Sequence, residues 1–243
     1  IILSFLGVKF IIFLIAFFLI FREIGITLPN PSLIKPYLSF SLPLIPRSIS
    51  GKMIDTFDRY LIGFFLNSFS IGIYSAAYGI GAITAMFMGV FNMVLFPTAS
   101  KLWEEKRFHE LKNHFKFTLK YFLMLAIPSA FGLSVLSKAL LTIMTRPEFV
   151  SQGALIIPII AISVVFFYST FSLFGLIFML VKKTHLSAII LGSGAILNIL
   201  LNLILIPHFQ SHYNYGIMGA AIATFLSFFS IGFCSCLFSR VII

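Results

Sequence analysis

Five charged residues interrupt an otherwise apolar stretch in the first quarter of the chain. Between residues 37 and 65 they are Arg47, Lys52, Asp55, Asp58 and Arg59. A helix rotates by about 100° per residue, so it places all five within an arc of about 140°. Charges at this density are too costly to face lipid on all sides. Three cations against two acids favour an anionic ligand, and the pattern therefore indicates a hydrophilic cavity that binds an anion.

Pairing of these charges with one another is the alternative. Lys52 and Asp55 have i,i+3 spacing, and Asp55 and Arg59 have i,i+4 spacing, which both allow an ion pair on one helix. Arg47 has no such partner on its own helix. We therefore assign Arg47, Lys52 and Arg59 to anion binding, and Asp55 and Asp58 to charge pairing or ion coupling.

Lys9 is a further candidate for the anion site. It lies in the first apolar stretch, residues 1–21, and no acidic residue lies near it in the sequence. A lysine in such a stretch either extends toward the membrane surface or faces a polar cavity. Both positions stay open for Lys9.

The residues that catalysis or metal binding requires are not grouped in this sequence. His208 and His212 have i,i+4 spacing but lack a third ligand, so they do not indicate a zinc site. No nucleophile paired with a base and no Gly-rich phosphate loop is recognisable. We expect no enzymatic activity, no bound metal and no cofactor, with coupling to Na⁺ or H⁺ left open.

The composition requires a membrane environment. Of the 243 residues, 60% are hydrophobic and only 10% are charged, and the mean hydropathy is +1.08. Average soluble domains carry about 25% charged residues, so a water-soluble globular domain is excluded. Long continuous apolar stretches predict an all-α integral membrane protein with about seven transmembrane helices. These stretches are residues 1–21, 37–65, 70–98, 118–144, 149–181, 185–206 and 216–239.

The connections between these stretches predict the orientation. Eleven Lys and Arg residues fall on one side of the membrane and only Arg146 on the other. By the positive-inside rule the C-terminus is cytoplasmic. Residues 103–117 are predicted to form an amphipathic helix that lies at the membrane surface. Residues 207–215 are predicted to form an external loop. The net charge of +10 follows from this topology, and a nucleic-acid partner is not indicated.

Four motifs, in this order and spacing, resemble a known transporter family. They are Asp58-Arg59-Tyr60-Leu61-Ile62-Gly63 with Ile71-Gly72-Ile73-Tyr74-Ser75-Ala76-Ala77-Tyr78; Leu95-Phe96-Pro97; Asn198 and Asn202 before Leu205-Ile206-Pro207; and Tyr215-Gly216-Ile217-Met218-Gly219-Ala220-Ala221-Ile222-Ala223-Thr224. From residue 36 onward the chain resembles the Wzx-type oligosaccharide flippases, which belong to the superfamily of MATE-like exporters.

The resemblance implies a two-lobed bundle of about twelve helices that works by alternating access. Residues 1–36 would supply the last helix of the N-terminal lobe and a cytoplasmic linker. Residues 37–243 would form the six-helix C-terminal lobe. The chain begins with Ile1 within an apolar stretch, and we expect it to be a fragment that lacks its true N-terminus.

The resemblance also implies a function. Such proteins turn an undecaprenyl-pyrophosphate-linked oligosaccharide from the cytoplasmic to the outer leaflet of the bacterial inner membrane, for polysaccharide biosynthesis. The expected partners are that lipid-linked oligosaccharide, membrane lipids and, as further candidates, polymerase or ligase proteins. Two alternatives are a Na⁺- or H⁺-coupled exporter of small molecules and a non-transporting scaffold of a polysaccharide-synthesis complex.

Overall fold

The structure is a computed structural model that describes residues 2–25, 35, 37–39 and 41–242. Every regular element in this part of the chain is helical, which confirms the all-α fold. The chain divides into two compact units, Ile1–Ser39 and Phe40–Ile243. Much of the expected cytoplasmic linker lies outside the described residues. The assignment of residues 1–36 and 37–243 to two lobes of a transporter stays a prediction.

The first unit contains the helix α1, Ile2–Ile24. At about 1.5 Å per residue this helix is about 35 Å long, which is enough to cross the hydrocarbon layer of a membrane. It ends at Gly25, whose φ of +71° lies in the left-handed region that glycine adopts without strain. The Gly25 N–H donates to the Phe21 carbonyl oxygen at 3.1 Å and closes the last turn.

The second unit is a bundle of helices joined by short turns. Its described helices are α2 (Leu44–Phe65), α3 (Ser68–Gly81), α4 (Ala85–Glu104), α5 (Phe108–Val135), α6 (Ser137–Met144), α7 (Pro147–Gly153), α8 (Ile156–Phe167), α9 (Leu173–Leu180), α10 (Thr184–Tyr213) and α11 (Gly216–Ile242). A 3₁₀ turn, Ala82–Thr84, joins α3 to α4, and a π-helical turn, Tyr168–Ser172, joins α8 to α9. Between α2 and α3 the Asn67 side chain accepts a bond from the Ser70 N–H at 2.8 Å and caps α3.

Five helical segments in the described chain are long and apolar enough to cross a membrane. They are Ser68–Glu104, Phe108–Val135, Ile156–Leu180, Thr184–Tyr213 and Gly216–Ser239. These five correspond to the last five of the seven predicted spans, and they confirm an integral membrane protein. The helix α2 has 22 residues but is more polar, because it carries the five charged residues. Membrane crossing by residues 1–21 and 37–65 stays a prediction.

Two sequence-based boundaries were wrong. The expected surface helix over residues 103–117 is not separate, because α5 runs without a break from Phe108 to Val135. The expected external loop over residues 207–215 is largely helical, because α10 continues through Pro207 to Tyr213. In both cases polar residues end the apolar stretch before the backbone leaves the helix. Hydropathy therefore indicates where the apolar stretch ends, but it does not indicate where the helix ends.

The turn between α4 and α5 is held by exposed ion pairs. The Arg107 guanidinium contacts Glu105 at 2.8 Å and Glu110 at 2.7 Å. This hydrogen bonding lowers the pKa of the Glu105 carboxyl and raises the pKa of Arg107 above its ordinary value. Because these groups are exposed, solvent screens the pairs and their contribution to stability is small. They fix the turn that separates the two long helices.

The apolar core of the second unit has two parts. The larger part lies among α2, α3, α8, α10 and α11, around fully buried Tyr74, Ile157 and Ile206. The smaller part lies among α4, α5, α8 and α9, around Met88 and Phe122. Glycines allow the helices to approach closely, since a Cβ on Gly219 would collide with the backbone of Leu205 across the α10–α11 contact. The larger core therefore fixes the position of α2.

Candidate functional site

One stripe of α2 packs into the larger core, and an acidic residue lies in its middle. The buried residues of α2 are Ile54, Asp58 and Ile62, which follow one another at a spacing of four residues. Asp58 is only 1% exposed, and the two isoleucines are equally inaccessible at 2% and 0%. A carboxylate at a core position of a membrane protein is expensive unless polar groups surround it.

Three side chains from three other helices donate hydrogen bonds to the Asp58 carboxylate. The Tyr74 hydroxyl of α3 donates to Oδ2 at 2.8 Å, and the Thr224 hydroxyl of α11 donates to the same oxygen at 2.8 Å. The Asn202 amide of α10 donates to Oδ1 at 2.8 Å. The carboxylate therefore joins α2 to α3, α10 and α11, and its bonds replace the lost water.

A second asparagine extends this group along α10. The Asn202 Nδ2 also donates to the Asn198 carbonyl oxygen at 2.9 Å, one helical turn earlier. The Asn198 Nδ2 and the Asn202 Oδ1 are buried and have no hydrogen-bond partner in the described chain. We call Asp58, Tyr74, Asn198, Asn202 and Thr224 the Asp58 cluster. It is a buried polar group in which hydroxyl and amide donors surround one carboxylate.

Transition-metal binding has no comparable support. Among the residues that the structure describes, no three His, Cys, Asp or Glu side chains come together. The His208 and His212 rings lie 4.4 Å apart between their centroids at the polar end of α10. The two rings are neighbours, but no third His, Cys, Asp or Glu of the described chain joins them.

Arg59 is bound to α3 and to its own helix. Its Nε donates to the Ser75 hydroxyl at 3.0 Å, and the guanidinium lies over the Tyr78 ring, 5.0 Å from the centroid. Its Nη1 donates to the Asp55 backbone carbonyl oxygen. The expected ion pair between the Asp55 and Arg59 side chains does not form. Every ion pair in the described chain joins two residues between 101 and 110.

Arg47 points toward the α8–α9 region. The guanidinium lies 5.6 Å from the centroid of the Phe171 ring, in the π-helical turn. Its Nη1 lies 3.7 Å from the Met179 sulfur atom in α9. Both neighbours are soft, uncharged groups, and no ion pair in the described residues includes Arg47. Arg47 is thus a half-buried cation whose charge no acid in the described chain neutralises at short range.

Lys52 and Asp55 occupy different surroundings from the buried stripe. The Lys52 side chain is exposed, beside Ser48, Thr56 and Tyr60 on a shallow surface. Asp55 lines a cavity of about 370 Å³ within the second unit, together with Tyr78 and Tyr168. The remaining walls of that cavity are mainly apolar. The expected ion pair between Lys52 and Asp55 does not form.

The predicted site residues are therefore divided among separate surroundings. Asp58 departs from the expected water-filled face because it lies in the core. Arg47 and Arg59 contact different helices, and twelve residues separate them, which is about 18 Å along α2. Lys9 belongs to α1 in the first unit. The role of each residue in binding or coupling stays a prediction.

Sequence reasoning did not identify the partners of Asp58. Tyr74, Asn198, Asn202 and Thr224 were noted only within family motifs, with no role of their own. Two signals in the sequence point to them. The spacing Ile54, Asp58, Ile62 places the acid on the apolar stripe of its helix, and Asn198 with Asn202 places two amides one turn apart within a long apolar helix. Polar residues on apolar faces within one lobe are expected to meet.

Comparison with known proteins identifies the family. Residues 1–152, more than half of the chain, match the family described as "Polysaccharide biosynthesis protein". The chain therefore belongs to the polysaccharide biosynthesis protein family of integral membrane proteins. No solved structure matches the chain significantly.

The most informative relatives come from archaea. The chain is 27% identical over 208 residues to the "Probable low-salt glycan biosynthesis flippase Agl15" of Haloferax volcanii, covering 85% of the chain and 42% of the relative. It is 30% identical over 173 residues to the "Probable flippase AglR" of the same organism, covering 70% of the chain and 34% of the relative. The chain thus spans less than half the length of the curated relatives it matches. These names confirm the flippase family that the sequence motifs indicated.

Proposed function

We propose that the protein to which this chain belongs is a flippase of glycan biosynthesis. It carries a lipid-linked oligosaccharide across the membrane without changing the substrate chemically. Two named relatives are flippases, and one of them is named for glycan biosynthesis. The multi-pass helical architecture suits such a role. A flippase is a transporter, which agrees with the expectation that the protein is not an enzyme.

The observation that carries this proposal is the uncompensated positive charge on α2. Arg47 and Lys52 lie one and a half turns apart, and neither belongs to an ion pair in the described chain. A pyrophosphate linker supplies several oxygens that accept charge-assisted hydrogen bonds. We assign Arg47 and Lys52 to the pyrophosphate, with Arg59 as a further cation of α2, and the role of Lys9 in binding stays a prediction.

The direction of transport is a further part of the proposal. As the resemblance to Wzx-type flippases implies, the substrate loads from the cytoplasmic leaflet and leaves to the outer leaflet of the cell membrane. We propose a polyprenyl pyrophosphate such as undecaprenyl pyrophosphate as the carrier. Polymerases or ligases that use the exported unit are the natural protein partners. The named relatives are archaeal, so the membrane of an archaeon suits this proposal as well as a bacterial inner membrane.

The Asp58 cluster is our candidate for coupling to Na⁺ or H⁺. Its carboxylate is buried among hydroxyl and amide groups rather than beside a cation, so a proton or Na⁺ would neutralise it. The cluster joins α2 to three other helices, and a change in its charge would alter their contacts. In this proposal, Asp58→Asn abolishes the dependence of transport on an ion gradient while the protein still inserts into the membrane.

The experiment that tests the proposal is transport of a fluorescent lipid-linked oligosaccharide by the whole protein in proteoliposomes. Arg47→Gln and Lys52→Gln each remove one cation and should reduce the rate about fivefold or more. Lys120→Gln, an exposed cation on α5, is the matched control and should transport normally. Abundance and monodispersity should stay equal among the variants.

Normal transport by both α2 variants would overturn the cationic route. Failure of the wild-type protein to move the lipid would instead favour a non-transporting scaffold. An exporter of small molecules would instead move a cationic dye and leave the lipid-linked oligosaccharide in place. The excess of bases over acids on α2 argues against that alternative.

A further inference from the structure

A long apolar groove follows the outside of the bundle between α5 on one side and α8, the π-helical turn and α9 on the other. Its wider part has a volume of about 850 Å³ and is lined mainly by apolar side chains, among them Phe115, Leu119 and Leu173. A narrower part of about 350 Å³ continues along α5 past Ile127 and Phe131 to Ser134. The two parts share Leu123 and Ser169. We call the combined surface the α5–α9 groove.

Only one end of the α5–α9 groove carries positive charge. Lys112 and Lys116 line the wider part, one helical turn apart on α5, and Trp103 lies beside them. Neither lysine belongs to an ion pair in the described chain. The narrower part has no charged residue in its lining. Tryptophan and lysine mark the boundary between lipid and water, so the cationic end lies at the membrane surface.

The remaining polar side chains of the groove are already satisfied. The Ser169 hydroxyl donates to the Phe166 carbonyl oxygen at 2.9 Å, and the Thr170 hydroxyl donates to the same oxygen at 2.8 Å. Both residues lie in the π-helical turn, and such turns occur often at functional sites. Because these hydroxyls bond to their own backbone, the wall they form is apolar to a ligand.

The length of the groove distinguishes its occupant from an ordinary phospholipid. From Lys112 to Ser134 the helix α5 rises by about 33 Å, which matches the full hydrocarbon thickness of a bilayer of about 30 Å. A phospholipid tail ends near the bilayer midplane and would fill half of this length. A lipid with one anionic head and one chain longer than a leaflet would fill it entirely.

We propose that the α5–α9 groove binds the carrier chain of a polyprenyl phosphate, with its phosphate against Lys112 and Lys116. This inference rests on the proposed flippase function and adds the place where the lipid part of the substrate is held. No residue of α2 lines the groove, so the phosphate would contact Lys112 and Lys116 at a different step of transport from the α2 cations. The apolar chain stays in contact with lipid while the polar part crosses within the protein.

Lipid binding to the purified whole protein tests this inference, measured by native mass spectrometry. The probes are undecaprenyl phosphate, farnesyl phosphate, undecaprenol and phosphatidylglycerol. Undecaprenyl phosphate should bind about tenfold or more tightly than farnesyl phosphate, because the shorter chain leaves much of the groove unfilled. Undecaprenol should bind about 20-fold more weakly, because it lacks the charge that two lysines attract. Phosphatidylglycerol should not compete.

Two variants report on the two ends of the groove. The double variant Lys112→Gln with Lys116→Gln should lose about 20-fold in affinity for undecaprenyl phosphate, whereas Lys120→Gln should bind as the wild type does. Both lysines are exposed, so these changes leave the fold intact. A photocrosslinking amino acid at Phe131 should capture undecaprenyl phosphate and not farnesyl phosphate, because only the long chain reaches that depth.

The outcomes separate this inference from the proposed function. Equal binding of undecaprenyl phosphate and phosphatidylglycerol, or unchanged binding by the double variant, would show that bilayer lipid fills the groove and would overturn the inference. The proposed function would stand if the same protein still transported a lipid-linked oligosaccharide. Selective binding without transport would support the groove and contradict the flippase function.

Discussion

The two halves of α2 carry similar residues but have opposite surroundings. From Ile54 onward, Ile54, Asp58 and Ile62 are buried, and the acid is bonded to three other helices. Before Ile54 no residue of α2 is buried, and Arg47 and Lys52 are cations outside every ion pair of the described chain. One half therefore resembles the core of a membrane protein, and the other resembles a binding surface.

The difference shows what a charged residue in a membrane helix indicates. A charge in an apolar environment must obtain internal partners or remain accessible to water or a ligand. Asp58 obtains internal partners and becomes part of the packing. Arg47 has an aromatic ring and a thioether as neighbours, which leaves its strong hydrogen-bonding capacity largely unused. The number of partners, rather than the charge, distinguishes the surroundings of these two residues.

The largest effect on stability is expected for Asp58→Leu. This change removes the acceptor of three buried hydrogen bonds and leaves the Tyr74 hydroxyl and the Asn202 amide without it. The unfolding free energy should fall by about 3 kcal/mol, since each orphaned buried donor costs about 1 kcal/mol or more. Thermal unfolding in detergent should show a midpoint lower by about 6 to 12 °C.

Asp55→Leu is the control for this change on the same helix. Asp55 is exposed and accepts no side-chain hydrogen bond in the described chain, so its loss should leave the midpoint nearly unchanged. Equal midpoints for the two leucine variants would contradict the contrast between the two aspartates. They would mean that the three bonds to Asp58 contribute nothing to folding.

A smaller effect is expected where α3 packs closely on α8. A Cβ at Gly81 would lie 2.9 Å from the Cβ of Ile160 and 3.1 Å from the Ile157 carbonyl oxygen. Gly81→Ala should therefore destabilise the fold by about 1 to 3 kcal/mol, because the helices must separate. Gly79→Ala, two residues earlier, meets nothing within 4 Å and should be neutral or slightly stabilising. Both unfolding midpoints are measured in the same detergent.

Loss of stability in both glycine variants would mean that helix α3 itself, and not its contact with α8, responds to the added methyl group. Close packing in this part of the chain is confined to some of its glycines. A Cβ at Gly81, or at Gly72 beside the Phe149 ring, would meet a neighbouring helix, whereas a Cβ at Gly79 or Gly89 would meet nothing within 4 Å.

The helical class and the long membrane segments could be predicted from the sequence, because hydrophobicity determines both. Apolar stretches of about 20 residues gave the helical class and five membrane-length segments. Helix ends could not be predicted, since α10 continues past Pro207 into polar residues. The Asp58 cluster could not be predicted either, because it depends on which faces of α2, α3, α10 and α11 meet. A helical wheel shows where charges lie on one helix, but it does not show which faces of the other helices contact them.

The smallest effect is expected for a half-buried polar group outside the membrane-spanning segments. The Tyr215 hydroxyl, between α10 and α11, donates to the Gln152 carbonyl oxygen at the end of α7. Tyr215→Phe removes this bond and should lower the unfolding free energy by about 1 kcal/mol. Tyr213→Phe is the control, because Tyr213 is 68% exposed and its loss should have no measurable effect.

The pH dependence of stability separates this bond from simple packing. Burial raises the pKa of Tyr215 from 10.0 to about 12. Because the folded protein favours the protonated phenol, its contribution is complete below pH 10 and is lost as the pH rises toward 12. The difference in unfolding midpoint between the wild type and Tyr215→Phe should therefore shrink over this range. The effects of the other titrating groups cancel in this difference, because both proteins contain them. Equal midpoints for the two proteins at every pH would show that the ring contacts of Tyr215, which Phe retains, and not its hydroxyl, join α7 to the α10–α11 turn.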